Sequence, residues 1–157
     1  MDGNAEPRIA LGTWDRLGED ARRVRYEVFV VEQSVPLDIE LDDQDAVSIH
    51  AVAYDARGRP LGTGRLLPDG HIGRMAVLRD LRGTGVGGRI LRALIDEGRG
   101  LGHASLALHA QTHAKHFYLS HGFTQEGETF VEAGIEHCLM VLDCAALPVG
   151  AQKPRPA

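Results

Sequence analysis

Residues 83 to 88 hold four glycines in six positions, within Arg82-Gly83-Thr84-Gly85-Val86-Gly87-Gly88. Glycine weakens helices and strands alike, so this density needs a reason, and close approach of backbone to a ligand is the usual one. A strand-like apolar run ends at Leu78 just before it, and a helix-like run begins near Val86. A loop that opens a helix presents unpaired N–H groups, and the helix dipole adds partial positive charge there. The chemistry this predicts is the binding of an anion such as a pyrophosphate.

Three kinds of protein build such a cradle. In a P-loop nucleotidase the glycines are followed by Lys and Ser/Thr. Gly83 and Gly88 have the right separation, but Arg89 and Ile90 occupy those two places. No hydroxyl is then available to hold magnesium. Gly83, Gly85 and Gly88 also spell G-x-G-x-x-G, yet a dinucleotide fold wants a carboxylate at the end of the next strand, about 20 residues on. The run there, Ala104-Ser105-Leu106-Ala107-Leu108-His109, has none.

The third kind is the GNAT superfamily of N-acetyltransferases, whose signature is Gln/Arg-x-x-Gly-x-Gly/Ala. Arg82-Gly83-Thr84-Gly85-Val86-Gly87 resembles it without a gap. A second block, Ala114-Lys115-His116-Phe117-Tyr118-Leu119-Ser120-His121-Gly122-Phe123, is similar to the family's A-x-x-F-Y-x-x-x-G-F. The resemblance covers roughly residues 8 to 144, and Val28-Phe29-Val30-Val31-Glu32-Gln33 with the acidic segment after it looks like the ElaA/YjcF subgroup.

The resemblance implies acetyl-CoA as donor and direct transfer to a small-molecule amine in a ternary complex. It places the pyrophosphate on Gly83, Thr84, Gly85, Val86, Gly87 and Gly88. It places the pantetheine arm and the acyl oxygen on backbone N–H groups of Met75, Ala76 and Val77, where two central strands part; such amides are preorganised donors. Gln111 falls where the family often has an Asn that contacts pantetheine. Tyr118 matches the tyrosine beside the coenzyme sulfur. A thiol titrates near 8.5, so an acid of higher pKa can still help it leave.

Other roles stay open. Arg82 reads equally as a phosphate partner or as a solvated arginine beside Arg79 and Arg89. For the general base, eight histidines titrate near neutrality. Glu32, closing the first helix, and His137, starting the last strand, rank ahead of His50 and His113; His109 ends a strand beside the expected cleft. Asp38, Glu40, Asp42, Asp43 and Asp45 crowd one short segment. They read as an attractor for a cationic amine or, as the favoured reading, a solvated loop held off the sheet by its charge.

Composition removes other classes. The 157 residues suit one domain, here 8–147, and carry 17 basic against 22 acidic residues for a net charge of −5. No basic stripe marks a nucleic-acid surface. No apolar run approaches the roughly 20 residues that span a bilayer. Met1-Asp2-Gly3-Asn4-Ala5-Glu6 lacks the regions of a signal peptide, so a cytoplasmic protein is expected. Cys138 and Cys144 lie in one apparent strand about 20 Å apart, too far to bridge. No metal-ligand spacing is present. Residues 1–7 and 148–157 are too poor in large apolar residues to pack and are expected to be mobile.

The elements that must position these groups follow from periodicity. Short strands are predicted at Arg8–Thr13, Val47–Tyr54, Leu61–Leu67, His71–Leu78, Ser105–His109, Phe123–Val131 and Glu136–Cys144. Helices are predicted at about Gly18–Val30, from Val86 to the glycines at 98, 100 and 102, and at Thr112–Ser120. Asp69-Gly70 is a hairpin signal, and Gly122 is placed as a left-handed helix cap. The order β-α-β-β-β-α-β-α-β-β predicts a mixed α/β fold (α+β) with a central, largely antiparallel sheet of six to seven strands flanked by helices, which agrees with the GNAT resemblance. The family frequently forms homodimers, although no exposed apolar stripe marks an interface here. A non-catalytic acyl-CoA-binding module on the same scaffold is the rival from another class.

Overall fold

Alternating apolar residues in seven short segments pair into one sheet. The structure, a computed structural model, describes residues 6–146; the expectations for residues 1–5 and 147–157 lie outside the described residues. The strands are β1 (Arg8–Gly12), β2 (Ile49–Tyr54), β3 (Pro60–Leu66), β4 (His71–Val77), β5 (Ser105–Gln111), β6 (Thr124–Glu132) and β7 (Ile135–Asp143). They lie in the order β1-β2-β3-β4-β5-β7-β6. Every neighbouring pair is antiparallel except β4 and β5. The predicted order of strands and helices is the observed one, except that a short helix at Leu37–Glu40 is added before the second strand.

Helices cover both faces. One is α1 (Trp14–Arg25), which continues without a break as a π-helical turn, Tyr26–Glu32. It packs on β1 to β4, burying Leu17, Ala21, Val24 and Val28. The other face carries α3 (Val86–Gly100), whose Val86, Ile90, Leu91, Leu94 and Ile95 form the main core with Leu106, Leu108 and Met140. Two short helices, α2 (Leu37–Glu40) and α4 (Lys115–Leu119), complete the set.

Several boundaries differ from expectation by a few residues, and packing explains two of the differences, at Gly18 and Gly98. Helix α1 starts at Trp14 rather than near Gly18, because Gly18 lies under the Trp14 ring; a Cβ there would sit 2.7 Å from Trp14 Cδ2. Helix α3 runs through Gly98, where a Cβ would come within 2.8 Å of Leu106 Cδ2, so this glycine permits close helix–sheet contact rather than ending the helix. Strand β7 ends at Asp143, so Cys144 falls just past it; both cysteines are buried and free.

The acidic segment is the larger correction. Asp38 and Asp43 are exposed as a solvated loop would have them, but the segment as a whole is not held off the sheet. Glu40 and Asp45 are each 3% exposed and sit among arginines. Buried Arg25 donates to Glu40 Oε2 at 2.5 Å and to both Asp45 oxygens at 2.9 and 3.0 Å. Arg65 donates to Asp45 at 2.8 Å and to Asp42 at 2.8 and 2.9 Å. Arg74 adds bonds to Asp42 at 3.2 Å and to the Glu40 carbonyl at 3.0 Å. Three carboxylates thus face three guanidiniums, which fits the rule that buried charges are paired.

Candidate active site

The site begins where β4 and β5 separate. They pair only at His71–Ala107 and Ile72–Leu108. Beyond Ile72 the β4 edge facing β5 has no strand partner, so those backbone groups of residues 73–77 that point away from β3, other than the Val77 carbonyl, are available to an extended ligand. A bulge helps to open this wedge: Arg74 and Met75 stand opposite the single residue Gly64 of β3. Arg74 takes φ +50°, a conformation uncommon for a non-glycine residue. A Cβ on Gly64 would lie 2.5 Å from Met75 Sδ, so glycine there leaves room for the bulge. Met75 and Val77 turn toward α3, whereas Ala76 is buried against Val24 and Val28.

The glycine loop follows β4 directly. Gly83 (φ +81°) and Gly85 (φ +96°) are both left-handed, and a Cβ added to either would meet nothing within 4 Å. Gly85 caps α3 without a side-chain hydrogen bond, so the first amides of a 15-residue helix point into open space. Thr84 Oγ1 turns inward, donating to Leu81 O at 2.5 Å. Val86 is buried in the core, while Gly87 and Gly88 lie close to Phe117 and His121 of the second sequence block.

The end of the π-helical turn crosses the mouth of the wedge and holds both sides. On the β4 side, Arg82 grips Glu32 with two bonds of 2.6 and 2.7 Å and donates through Nε to Val77 O at 3.0 Å. On the β5 side, Gln33 and Gln111 exchange amide hydrogen bonds at 3.1 and 2.9 Å. Arg82 is therefore held in place by partners, although its side chain stays 42% exposed. Glu32 is likewise committed: the Arg82 hydrogen bonds, helped by Arg79, hold its carboxyl below the usual range. A carboxylate paired in this way is a poor proton acceptor, and Glu32, expected from sequence as a general base, lies in an ion pair with Arg82.

Tyr118 lies in α4, on the α3 face of the sheet, edge-on to Phe117 and Phe123. It is 7% exposed and among the described residues its hydroxyl has no hydrogen-bond partner. Burial raises its pKa well above the usual phenol value, so the proton is retained at any physiological pH. His137 lies across the sheet on the opposite face, paired in register with Gln111 on β5 and Phe130 on β6. Its Nδ1–H donates to Ile135 O at 2.7 Å and Phe130 stacks over the ring. The structure thus gathers residues 75–77, 82–88 and 111 around one wedge, with Tyr118 and His137 on opposite faces.

Residues 18–144 match the family described as acetyltransferase (GNAT) domain. The chain belongs to the GNAT acetyltransferase family. The uncharacterized N-acetyltransferase YjcF of Bacillus subtilis is 42% identical over 129 residues, 80% of this chain and 91% of that protein. The crystal structure of Escherichia coli ElaA superposes with TM-score 0.77 at 25% identity, covering 87% of this chain and 99% of that one. An acyl-CoA N-acyltransferase from Pseudomonas aeruginosa gives 0.76 at 27%, with 87% and 99% covered. The ElaA/YjcF-like placement and the GNAT fold read from the sequence both hold.

Within this GNAT domain, sequence reasoning missed Gln33 and Arg74. Gln33 follows Glu32 directly, but its partner lies 78 residues away. Arg74 carried a signal that went unused, a lone charge in the strand His71-Ile72-Gly73-Arg74-Met75-Ala76-Val77. Two surface depressions, one beside Arg8 and Tyr54 and one beside Ile49 and Leu101, lie apart from the wedge. No helix among the described residues is long and apolar enough to cross a membrane.

Proposed function

We propose that this GNAT protein is an N-acetyltransferase that takes its acetyl group from acetyl-CoA and passes it directly to the amine of a small molecule in a ternary complex. The reading rests on one continuous feature: an unpaired β4 edge leading into an open, glycine-lined helix N-terminus, with a protonated, unpartnered Tyr118 hydroxyl on the same face. A single domain over 8–147 and a cytoplasmic location belong to this reading.

The thioester supplies an activated acyl carbon; the chain supplies the rest. Backbone N–H groups of Met75, Ala76 and Val77 hold the pantetheine arm and polarise the acyl oxygen. The amides of Gly83 to Gly88, with Thr84 and Val86 shaping the turn, hold the pyrophosphate. Arg82, fixed by Glu32, adds positive charge at the rim, and Gln111 bounds the arm on the β5 side. Tyr118 donates its proton to the departing sulfur, which demands an acid that is still protonated at neutral pH. Calorimetric titration with acetyl-CoA, with ATP and NAD as controls, tests the donor; thiol release against a panel of amines tests transfer. Binding of ATP or NAD in place of acetyl-CoA would overturn the reading.

A further inference from the structure

We infer that His109, oriented by Glu132, is the general base that deprotonates the acceptor amine, on the face of the sheet opposite Tyr118. This inference rests on the acetyltransferase reading above.

The position follows from the ladder. The last β4–β5 pair is Ile72–Leu108, so His109 is the first β5 residue inside the wedge. Leu106, Leu108 and Ala110 point into the α3 core. Alternation along the strand therefore sends His109 to the other face. Helix α1 packs on the β1–β4 half of that face, and His109 is left 44% exposed in its side chain, accessible to a solute. Attack on a thioester brings the nitrogen in on one side of the acyl carbon while sulfur departs from another. A base on one face of the wedge and an acid on the other satisfy that geometry.

The ring is also prepared for the task. Glu132, at the tip of the β6–β7 hairpin, approaches His109 Nδ1 at 2.9 Å. A carboxylate there fixes the proton on Nδ1 and leaves the Nε2 lone pair for the substrate. Phe130 meets the ring edge-to-face at 5.1 Å, holding its plane. His71 of β4 is the other titratable ring in contact, at 6.1 Å, itself bonded to Asp69. His137, the base expected from sequence, is 7% exposed and capped by Phe130; it serves as the platform under that ring.

The step balances simply. An alkylammonium acceptor gives one proton to His109 Nε2, and Glu132 offsets the imidazolium charge. The neutral amine forms the C–N bond, the C–S bond breaks, and Tyr118 protonates the sulfur and is restored by the second nitrogen proton. The products are the amide, the thiol of coenzyme A and one proton, which leaves His109 for solvent.

Two readouts test this in the full-length protein. Long-range nitrogen–proton NMR of the histidine rings should show the Nδ1–H tautomer for His109, lost in Glu132→Gln; an Nε2–H tautomer in the wild type would overturn the proposal without any substrate. In thiol-release assays at pH 7.5, His109→Gln should lower kcat/KM for alkylamines by about 10²- to 10⁴-fold. Arylamines are already neutral at that pH and should lose far less. An equal loss for both classes would mean a binding role, and an unchanged rate no role; either overturns the base assignment, as does a wild type that binds acetyl-CoA but acetylates no amine. His116→Gln, on the exposed side of α4, is the control. Failure of the wild type to bind acetyl-CoA would instead sink the acetyltransferase reading, while the NMR tautomer still reports on the pair.

Discussion

Asp45→Asn separates a buried ionic lattice from the solvated acidic loop that composition suggests. Asp45 is 3% exposed and takes three charge-assisted hydrogen bonds, two from Arg25 and one from Arg65, at 2.8 to 3.0 Å. Asparagine keeps the volume but removes the charge, leaving three buried or half-buried guanidiniums against two carboxylates. The asparagine amide nitrogen takes the place of one accepting oxygen and cannot accept from a guanidinium, so one charge-assisted bond of about 1.5–3 kcal/mol is lost and the other two weaken, about 3 kcal/mol in all. The cost of breaking a buried pair, about 3–5 kcal/mol, agrees. Arg25 keeps Glu40 and Arg65 keeps Asp42, which favours the lower figure. For a chain of this size that lowers the melting temperature by roughly 6–12 °C. The assay is thermal unfolding with and without 1 M salt, against the exposed control Asp43→Asn, which should stay within about 0.5 kcal/mol. The Asp45→Asn deficit should persist in salt, because buried pairs are weakly screened. A variant melting within 2 °C of wild type, using the roughly 2–4 °C per kcal/mol scale, would refute the lattice.

Other outcomes follow from the same geometry. Gly85→Asp should abolish acetyl-CoA binding in calorimetry, since φ +96° strains any side chain and the new charge would face the pyrophosphate. Tyr118→Phe should lower kcat about 10²-fold or more while leaving the acetyl-CoA Kd within twofold; an intact kcat would remove the acid role and favour a non-catalytic module. Acid unfolding should report Asp42, whose carboxyl the Arg65 hydrogen bonds hold at about 2 against an ordinary 3.8. Its folded pKa is the lower one, so its contribution is complete above pH 3.8 and is lost as pH falls toward 2. Asp42→Asn should flatten that part of the stability–pH curve measured by urea unfolding.

Much of the fold was legible because the signals are local. Alternation marked the strands, Asp69-Gly70 marked a hairpin, and Gly122 does adopt φ +98° after α4. Gly98 and Gly18 misled for a shared reason: each is glycine because a neighbouring side chain fills its Cβ position, not because the backbone turns there. At the site, the glycine loop and Tyr118 were legible from spacing. The arrangement around them was not, since it depends on partners distant in sequence. Arg82 meets Glu32 from 50 residues away, and Arg74 meets Glu40 from 34. A run of five carboxylates looks solvated until the arginines of α1, β3 and β4 are brought to it.

Those distant contacts explain why the wedge can stay open. A sheet edge with unpaired amides invites closure by its neighbouring strand or by another chain. Here three restraints oppose that. The Arg74–Met75 bulge takes the β4 backbone out of register, and Arg74 is anchored beneath it to the Ile39 and Glu40 carbonyls and to Asp42. Glu32 and Gln33, neighbours on one turn, tie to Arg82 after β4 and to Gln111 at the end of β5, fixing the width of the gap from its mouth. The π-helical geometry of Tyr26–Glu32 sets where those two side chains emerge. The acidic segment and the odd helix end thus act on the same property: an opening between two parallel strands, preorganised before any ligand arrives.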